Sequence, residues 1–396
     1  MTFGRFIRLA LHVTVAGFIN AILRRVEMRN MYWTLLTTLL LSASTQAQRA
    51  PDQAWLEQAV EQTQAPAMAA MRLRSAEKPE VVAVGRRSKD AEALVGREDL
   101  WHIGSNSKAI TATLVARLVE QGVLSWDDRL ADVLGDKIED IHPDWQAVSY
   151  RELLRHCSGL PANPGFLQMI SLSGLDAERD AAADRLGVFA SVLSQPPETA
   201  VGSEFNYSNL GYMAVGAMLE ASTGQSYIQL LQEHLLTPLG MNNVGIGPPG
   251  LGSELTQPYG HVDTFLGLVA MPPGGDADNP PALTPAGRLH LSLGDYALFL
   301  QDWLDGLNGR EALLQPASYE EMIRPGCSDD YAAGWGIADA GLVHNGSNTM
   351  WLARTEVRAK QDVAAVVVSN SGDVEGQIPV FRTMVCDLLG CPSDAE

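Results

Sequence analysis

Apolar positions recur along this chain with two different periods. Trp55, Leu56, Ala59 and Val60 are spaced as one face of a helix over 52–65, which ends before Pro66. Residues 67–74 and 81–85 are short β-prone runs separated by a turn-like stretch, which predicts a hairpin. After Trp101-His102-Ile103-Gly104 a long helix follows, with Ile110, Leu114 and Leu118 on one stripe and Gly122 as its stop. Residues 150–156, 209–222, 226–236 and 292–305 also have helical spacing. Gly and Pro cluster at 245–252 and 272–281 and mark loops. The chain then returns to β-prone runs at 331–337, 341–344, 349–356 and 363–369, and closes on a helix over 378–389. Strands at both ends with helices between predict an α+β fold, an α/β sandwich. Its antiparallel sheet is built from both termini, with flanking helices and a helical insertion at about 140–290. On this reading residues 48–390 are one domain and 391–396 a tail.

The first 47 residues bear on where that domain works. Met28 to Ala47 has a basic start, a short apolar centre and small residues before a cut at Ala47, the pattern of a secretory signal. A preceding apolar run, 9–23, is short for a spanning helix and holds His12, Thr14, Gly17 and Asn20. We therefore expect translation to start at Met28 and the protein to be periplasmic or secreted; an N-terminal membrane anchor is the alternative. No cysteine lies near the cut to carry a lipid, and no run after Ala47 is apolar enough to span a bilayer.

The formal charge is −19. Residues 1–47 carry five arginines against Glu27, a surplus of four, so the remainder stands at −23. Such a surface repels phosphate backbones and anionic lipid heads. Nucleic acid is not an expected partner, and a small-molecule substrate is left, with oligomeric state open. The four cysteines, Cys157, Cys327, Cys386 and Cys391, show no C-x-x-C spacing, and a structural zinc site is not expected. Export permits a disulfide among the last three. Cys157, in an apolar-periodic segment, reads as a small buried filler.

Three short motifs carry chemistry. Ser105-Asn106-Ser107-Lys108 opens the long helix, where free N–H groups favour negative charge and Lys108 lies on the same face as Ser105. A lysine desolvated there is a base that can activate the hydroxyl. Taken alone, the same residues are merely an N-cap and a solvated charge. Tyr207-Ser208-Asn209 precedes another apolar helix. Its Asn or Ser could be an N-cap, while the phenol can shuttle a proton and the amide can hold an acyl amide. His344-Asn345-Gly346 ends a β-prone run and is followed by Ser347. A lone histidine there is commonly a satisfied surface residue, and Gly346 would let a substrate backbone come close.

In this order, S-x-x-K, Y-x-N and (K or H)-x-G, the motifs resemble the serine β-lactamase and penicillin-binding protein superfamily. The resemblance is to the branch of class C β-lactamases, D-alanyl-D-alanine carboxypeptidases, family VIII esterases and D-aminopeptidases. Trp101 to Ser105, Glu120 to Asp128, Leu153 to Pro161 and Pro238 to Met241 carry it as well, and it covers about 52–390. It implies Ser105 as nucleophile, Lys108 as its partner and Tyr207 as proton shuttle, with no metal or organic cofactor. Asn209 would orient the substrate amide and His344 take the third-motif cation position. The N–H groups of Ser105 and Ser347, the latter just past Gly346, would form the oxyanion hole.

Two departures matter. His344-Asn345-Gly346 stands where many β-lactamases have Lys-Thr-Gly, so the pull on a substrate carboxylate weakens and a hydroxyl is missing. Cys157 stands where relatives usually carry Thr. There is no G-x-S-x-G pentapeptide, which removes the α/β-hydrolase reading. The expectation is a serine hydrolase of esters or of D-amino-acid amides and peptides. The alternatives are a class C-like β-lactamase and a catalytically silent relative that binds peptidoglycan or a partner protein.

Overall fold

The computed structural model describes residues 48–173, 180–252 and 254–391. The segment read as a signal lies outside the described residues. One unit, Arg49–Leu389, holds every element below. The chain ends form a second unit, of which only Gln48, Gly390 and Cys391 are described.

Two runs that are buried almost throughout build the centre of the main sheet, β1 (Ala67–Arg74) and β11 (Val363–Ser369). They pair with each other, Met68 opposite Ser369. β2 (Glu80–Gly85) lies outside β1, while β10 (Leu352–Arg358), β9 (Gly341–Ser347) and β8 (Gly336–Ala338) follow in turn beyond β11. Every neighbouring pair is antiparallel. Successive side chains point to opposite faces of a strand, and here both faces are covered. On one face Met68, Ala70, Val363 and Val367 meet Trp55 and Leu56 of α1 (Gln53–Thr63), together with Phe381 and Leu388 near the chain's end. On the other, Ala69, Met71, Val366 and Val368 join the larger core. A strand covered on both sides reads as a continuous apolar run, which is why 67–74 and 363–369 lack strict alternation. Of the run at 331–337, only the last two residues enter β8, because Gly334 turns the chain at φ +77°.

The larger core surrounds α2 (Ser107–Glu120), buried at every position from Ser107 to Ala116. The single stripe expected from Ile110, Leu114 and Leu118 is therefore too narrow. Ala109, Ala112 and Ala116 let neighbours approach the other sides, and Thr111 and Thr113 satisfy their hydroxyls on Pro285 O and Ala109 O. Among the other helices that share this core are three of twelve residues or more, α3 (Ala181–Val192), α4 (Asn209–Thr223) and α5 (Leu293–Leu307). The last helix, α6 (Val374–Leu389), starts four residues before the expected 378.

Two small sheets interrupt the helices. β3 (Leu100–His102) and β4 (Val244–Ile246) flank β7 (Leu289–Ser292), and β5 (Gly260–Thr264) pairs with β6 (Gly267–Met271) as a hairpin. β4 runs into the stretch read as a loop. Among the described residues no helix is long and apolar enough to cross a membrane, and no His, Cys, Asp and Glu cluster is arranged to hold a metal ion.

The cysteines correct the sequence reading. Cys157 is no mere filler: its sulfur is bonded to Cys327, joining segments 170 residues apart. None of the four cysteines is free. An apolar segment points to burial, which is why Cys157 reads as a filler, but burial and disulfide bonding are compatible.

Candidate active site

β3 delivers the chain to a tight turn, Gly104–Asn106, that feeds directly into α2. The turn is held from behind: Ile103 N–H donates to Leu289 O at 3.0 Å, and the Ser107 hydroxyl donates to Gly104 O at 2.7 Å. Gly104 has φ +51°, and a Cβ on it would lie 2.3 Å from Ser347 N. The requirement is mutual, because a Cβ on Gly346 would lie 2.0 Å from Ile103 O and 2.7 Å from Ser105 N. Gly346 thus admits the Ser105 turn itself rather than the substrate backbone expected there, and the two glycines bring the N–H groups of Ser105 and Ser347 to one place. β8 pairs with β9 only as far as Val343, so Ser347 lies beyond the paired part of that edge.

Lys108 points back from the first turn of α2 and is fully buried. Its Nζ lies 3.0 Å from Ser105 Oγ, 2.7 Å from Asn209 Oδ1 and 2.6 Å from Ala286 O. Burial holds its pKa well below the usual lysine value. An uncharged amine has two N–H bonds and one lone pair. In that state Asn209 Oδ1 and Ala286 O would take the two hydrogens and the lone pair would face the Ser105 hydroxyl, to which Nζ otherwise donates.

Tyr207 sits just before α4, where Ser208 is the N-cap, accepting from Gly211 N–H. Three bonds pin this loop: Ser208 N–H to His156 Nδ1, the Ser208 hydroxyl to Pro161 O and Asn209 N–H to Ala162 O. The Tyr207 ring centroid lies 4.8 Å from Lys108 Nζ, and the Ser105 side chain interacts with its hydroxyl. Burial raises its pKa, so the group at neutral pH is the phenol. Asn209 has both ends of its amide engaged, with Nδ2 donating to Asn163 Oδ1 at 2.8 Å. Even so, Asn209 lines a cavity of about 70 Å³ together with Ser105, Asn163, Gly287 and Ser347. Asn279 lines both this cavity and a larger one of about 960 Å³.

His344 departs from its expected part as a cation. It is 6 % exposed, and burial, with Lys108 as a second cause, pushes its pKa down to about 3. Its Nδ1–H donates to Asn345 O at 2.7 Å, and Nε2 accepts from the Tyr331 hydroxyl at 3.0 Å. The strand pleat turns it inward with Gly346, while Asn345 faces the other way and accepts from Arg354. The histidine is neutral across the physiological range and cannot attract a carboxylate by charge.

His156, Tyr212 and Tyr331 complete this wall, and none of them belongs to the three motifs. The His156 ring lies 4.4 Å from Tyr207 and 4.7 Å from Tyr331, centroid to centroid. Burial, then Lys108 and His344, holds its pKa well below the usual histidine value. The run Leu153 to Pro161, already conspicuous in the resemblance, is the signal that could have found His156. Asn163, Asn279 and Ala286 offer none, since each acts through backbone placement or a lone amide.

The arrangement comprises a hydroxyl, a buried amine of lowered pKa, a phenol and two backbone N–H groups brought close together, which suits acyl transfer. Comparison with known proteins then places the chain among relatives. Over 316 residues it is 28% identical to penicillin-binding protein 4 of Amycolatopsis lactamdurans, covering 75% of this chain and 79% of that one. Other curated relatives are matched over little more than half their length, 56 to 60%. The octameric penicillin-binding protein homologue from Pyrococcus abyssi superposes with a TM-score of 0.69 at 22% identity, over 87% of this chain and 78% of its own. The D-amino acid amidase from Ochrobactrum anthropi SV3, complexed with L-phenylalanine, does so with a TM-score of 0.66 at 18% identity, over 85% and 96%. Both share the fold. The family model described as Beta-lactamase matches residues 53–378, and the chain belongs to that family.

Proposed function

We propose that this protein is an exported serine hydrolase that acts through an acyl-enzyme at Ser105 on esters or on D-amino-acid amides and peptides. The observation that carries the reading is Lys108, fully buried so that its pKa is held well below the usual lysine value, with its Nζ 3.0 Å from Ser105 Oγ. In the reaction Ser105 Oγ attacks the substrate carbonyl carbon while its proton passes to Lys108 Nζ. The carbonyl oxygen becomes an oxyanion between the N–H groups of Ser105 and Ser347. As the bond to the leaving group breaks, the Tyr207 phenol relays a proton from Lys108 to it, leaving the acyl group on Ser105. Water then repeats the sequence and releases the acid.

The uncharged His344 supports neutral substrates over carboxylate-bearing β-lactams, so the β-lactamase reading stands second. A silent, peptidoglycan-binding relative stands third, because an assembled nucleophile and base have no use in it. The decisive experiment labels the protein with a fluorophosphonate and maps the adduct, then compares p-nitrophenyl esters, D-amino-acid amides, D-Ala-D-Ala peptides and nitrocefin. Labelling at Ser105 with turnover among the first three classes is expected, both abolished in Ser105→Ala. An adduct elsewhere, or turnover surviving in that variant, rejects the mechanism. For export, motivated by Met28 to Ala47, N-terminal sequencing of the secreted or periplasmic protein should begin near Gln48. Residues 1–27 retained in membranes would replace this with an anchored form.

A further inference from the structure

Beside the site lies a buried carboxylate that the reaction does not use. Asp278, whose side chain is 1 % exposed, belongs to the Pro-rich stretch read as a loop. Its Oδ2 accepts from His102 Nε2–H at 3.0 Å and from Arg288 Nε–H at 3.2 Å. Its Oδ1 accepts from Asn348 Nδ2–H at 2.9 Å and from Asn279 N–H at 2.7 Å. These links lead to different parts of the pocket. His102, fully buried, turns its other nitrogen to the nucleophile turn, where Nδ1 accepts from Gly104 N–H at 3.2 Å. Asn348 directly follows Ser347, and its Oδ1 accepts from Met350 N–H. Asn279 lines the cavity at Ser105.

We propose that Asp278 is a positioning residue for the oxyanion hole, gripping the Ser105 turn through His102 and the end of β9 through Asn348. The inference rests on the acyl-transfer reading above. The two N–H donors come from segments far apart in sequence that meet at Gly104 and Gly346, and closeness of backbone alone does not fix where the N–H bonds point. One carboxylate bonded to both segments does. A carboxylate suits the place because all four neighbours donate and it only accepts. In Asp278→Asn one end of the side chain becomes an NH₂ facing donors, so one of the two grips must open whichever way the amide turns.

The experiment compares an ester with its thionoester, in which sulfur replaces the carbonyl oxygen that becomes the oxyanion. A well-aimed hole favours oxygen. In Asp278→Asn, kcat for the ester should fall roughly 10- to 100-fold, less than the ~10²- to 10³-fold for deleting a donor outright, with KM changed little. The ester-to-thionoester rate ratio should fall with it. A folded variant with lower activity but an unchanged ratio overturns the proposal, since mere loss of active protein scales both rates equally. Should Asp278→Asn not fold, Asn348→Ala decides. It removes one grip without altering the buried charge, and a smaller fall in the ratio is expected; no fall overturns the proposal. If the wild-type protein is neither labelled at Ser105 nor active on esters, the acyl-transfer reading has failed. If it is labelled and active while the ratio stays fixed in the variants, only the role of Asp278 has.

Discussion

The pocket has two walls, and each buries a basic nitrogen to a different end. On one, Lys108 meets three uncharged oxygen partners, Asn209 Oδ1 and Ala286 O, which take hydrogens, and the hydroxyl of the nucleophile Ser105. On the other, His344 lies among Tyr207 and Tyr331, giving its proton to Asn345 O and receiving one from Tyr331. Burial lowers the pKa of both groups. For the lysine this creates a base, since an amine needs its pKa lowered before it has a free lone pair near neutral pH. For the histidine it removes the one property, positive charge, that the third motif would otherwise supply. The same desolvation therefore arms one wall and silences the other, and hydrogen-bond partners decide which.

The sharpest test of this contrast is to remove the amine. Lys108→Ala should lower ester kcat/KM by roughly 10²- to 10⁴-fold, the range for positioned acid–base groups. In the wild type kcat/KM should rise with pH through the lowered lysine pKa and level off above it, because only the unprotonated amine is a base. If His344→Gln were equally damaging to ester turnover, the two walls would not differ as described.

Next in size is the disulfide, which belongs to the aromatic wall. Cys157 adjoins His156, and Cys327 leads to Tyr331. Replacing both cysteines by alanine should cost about 2–5 kcal/mol of stability, read as a lower Tm. Fluorophosphonate labelling of the folded remainder at Ser105 should persist, as the lysine wall keeps its own bonds. Loss of labelling in protein that is still folded would show that the walls are not separable.

Acid should lower stability by a comparable amount. The His344 pKa is about 3 in the folded protein against 6.5 as the ordinary value, so below pH 6.5 the unfolded chain binds a proton that the folded one refuses. Stability is then fully present above pH 6.5 and lost as pH falls toward 3, at roughly 1.4 kcal/mol per pH unit. His290, lowered to about 4 by burial, adds to this down to its own pKa. Denaturant midpoints measured from about pH 7 to 4 should show the slope, and His344→Gln should flatten it. The smallest expected effect is on ester turnover by His344→Gln at constant pH: within about threefold, with no inflection near the ordinary histidine pKa of about 6.5 that the wild type has and the variant lacks.

Legibility from sequence follows the same division. The β1–β2 hairpin, β10, β11 and the helices α1 and α4 are marked by period and by turn residues. Ser105, Lys108 and Tyr207 stand out by motif, and the structure brings them together. β3, β4 and β7 escape because strands of three or four residues carry no measurable period. His344 is legible as a motif position but not as an uncharged group, since its state is set by burial among aromatic rings from other segments. The bond between His102 and Asp278 joins residues 176 apart, that between Cys157 and Cys327 residues 170 apart, and nothing local marks either pair.

The pairing of β1 with β11 has a consequence for how the chain acquires its structure. The β1–β2 hairpin is synthesised early, yet its other neighbour is β11, so the middle of the sheet cannot close until Val363–Ser369 has been made. Until then β1 offers an unpaired apolar edge on one side, and the face that α6 helps to cover is incomplete, the condition in which chains associate wrongly. Contacts so distant in sequence also make for slow folding. Nascent chains halted before Val363 should thus resist folding and be held by chaperones, and a short stretch of further synthesis should convert them, late and all at once, into the native sheet.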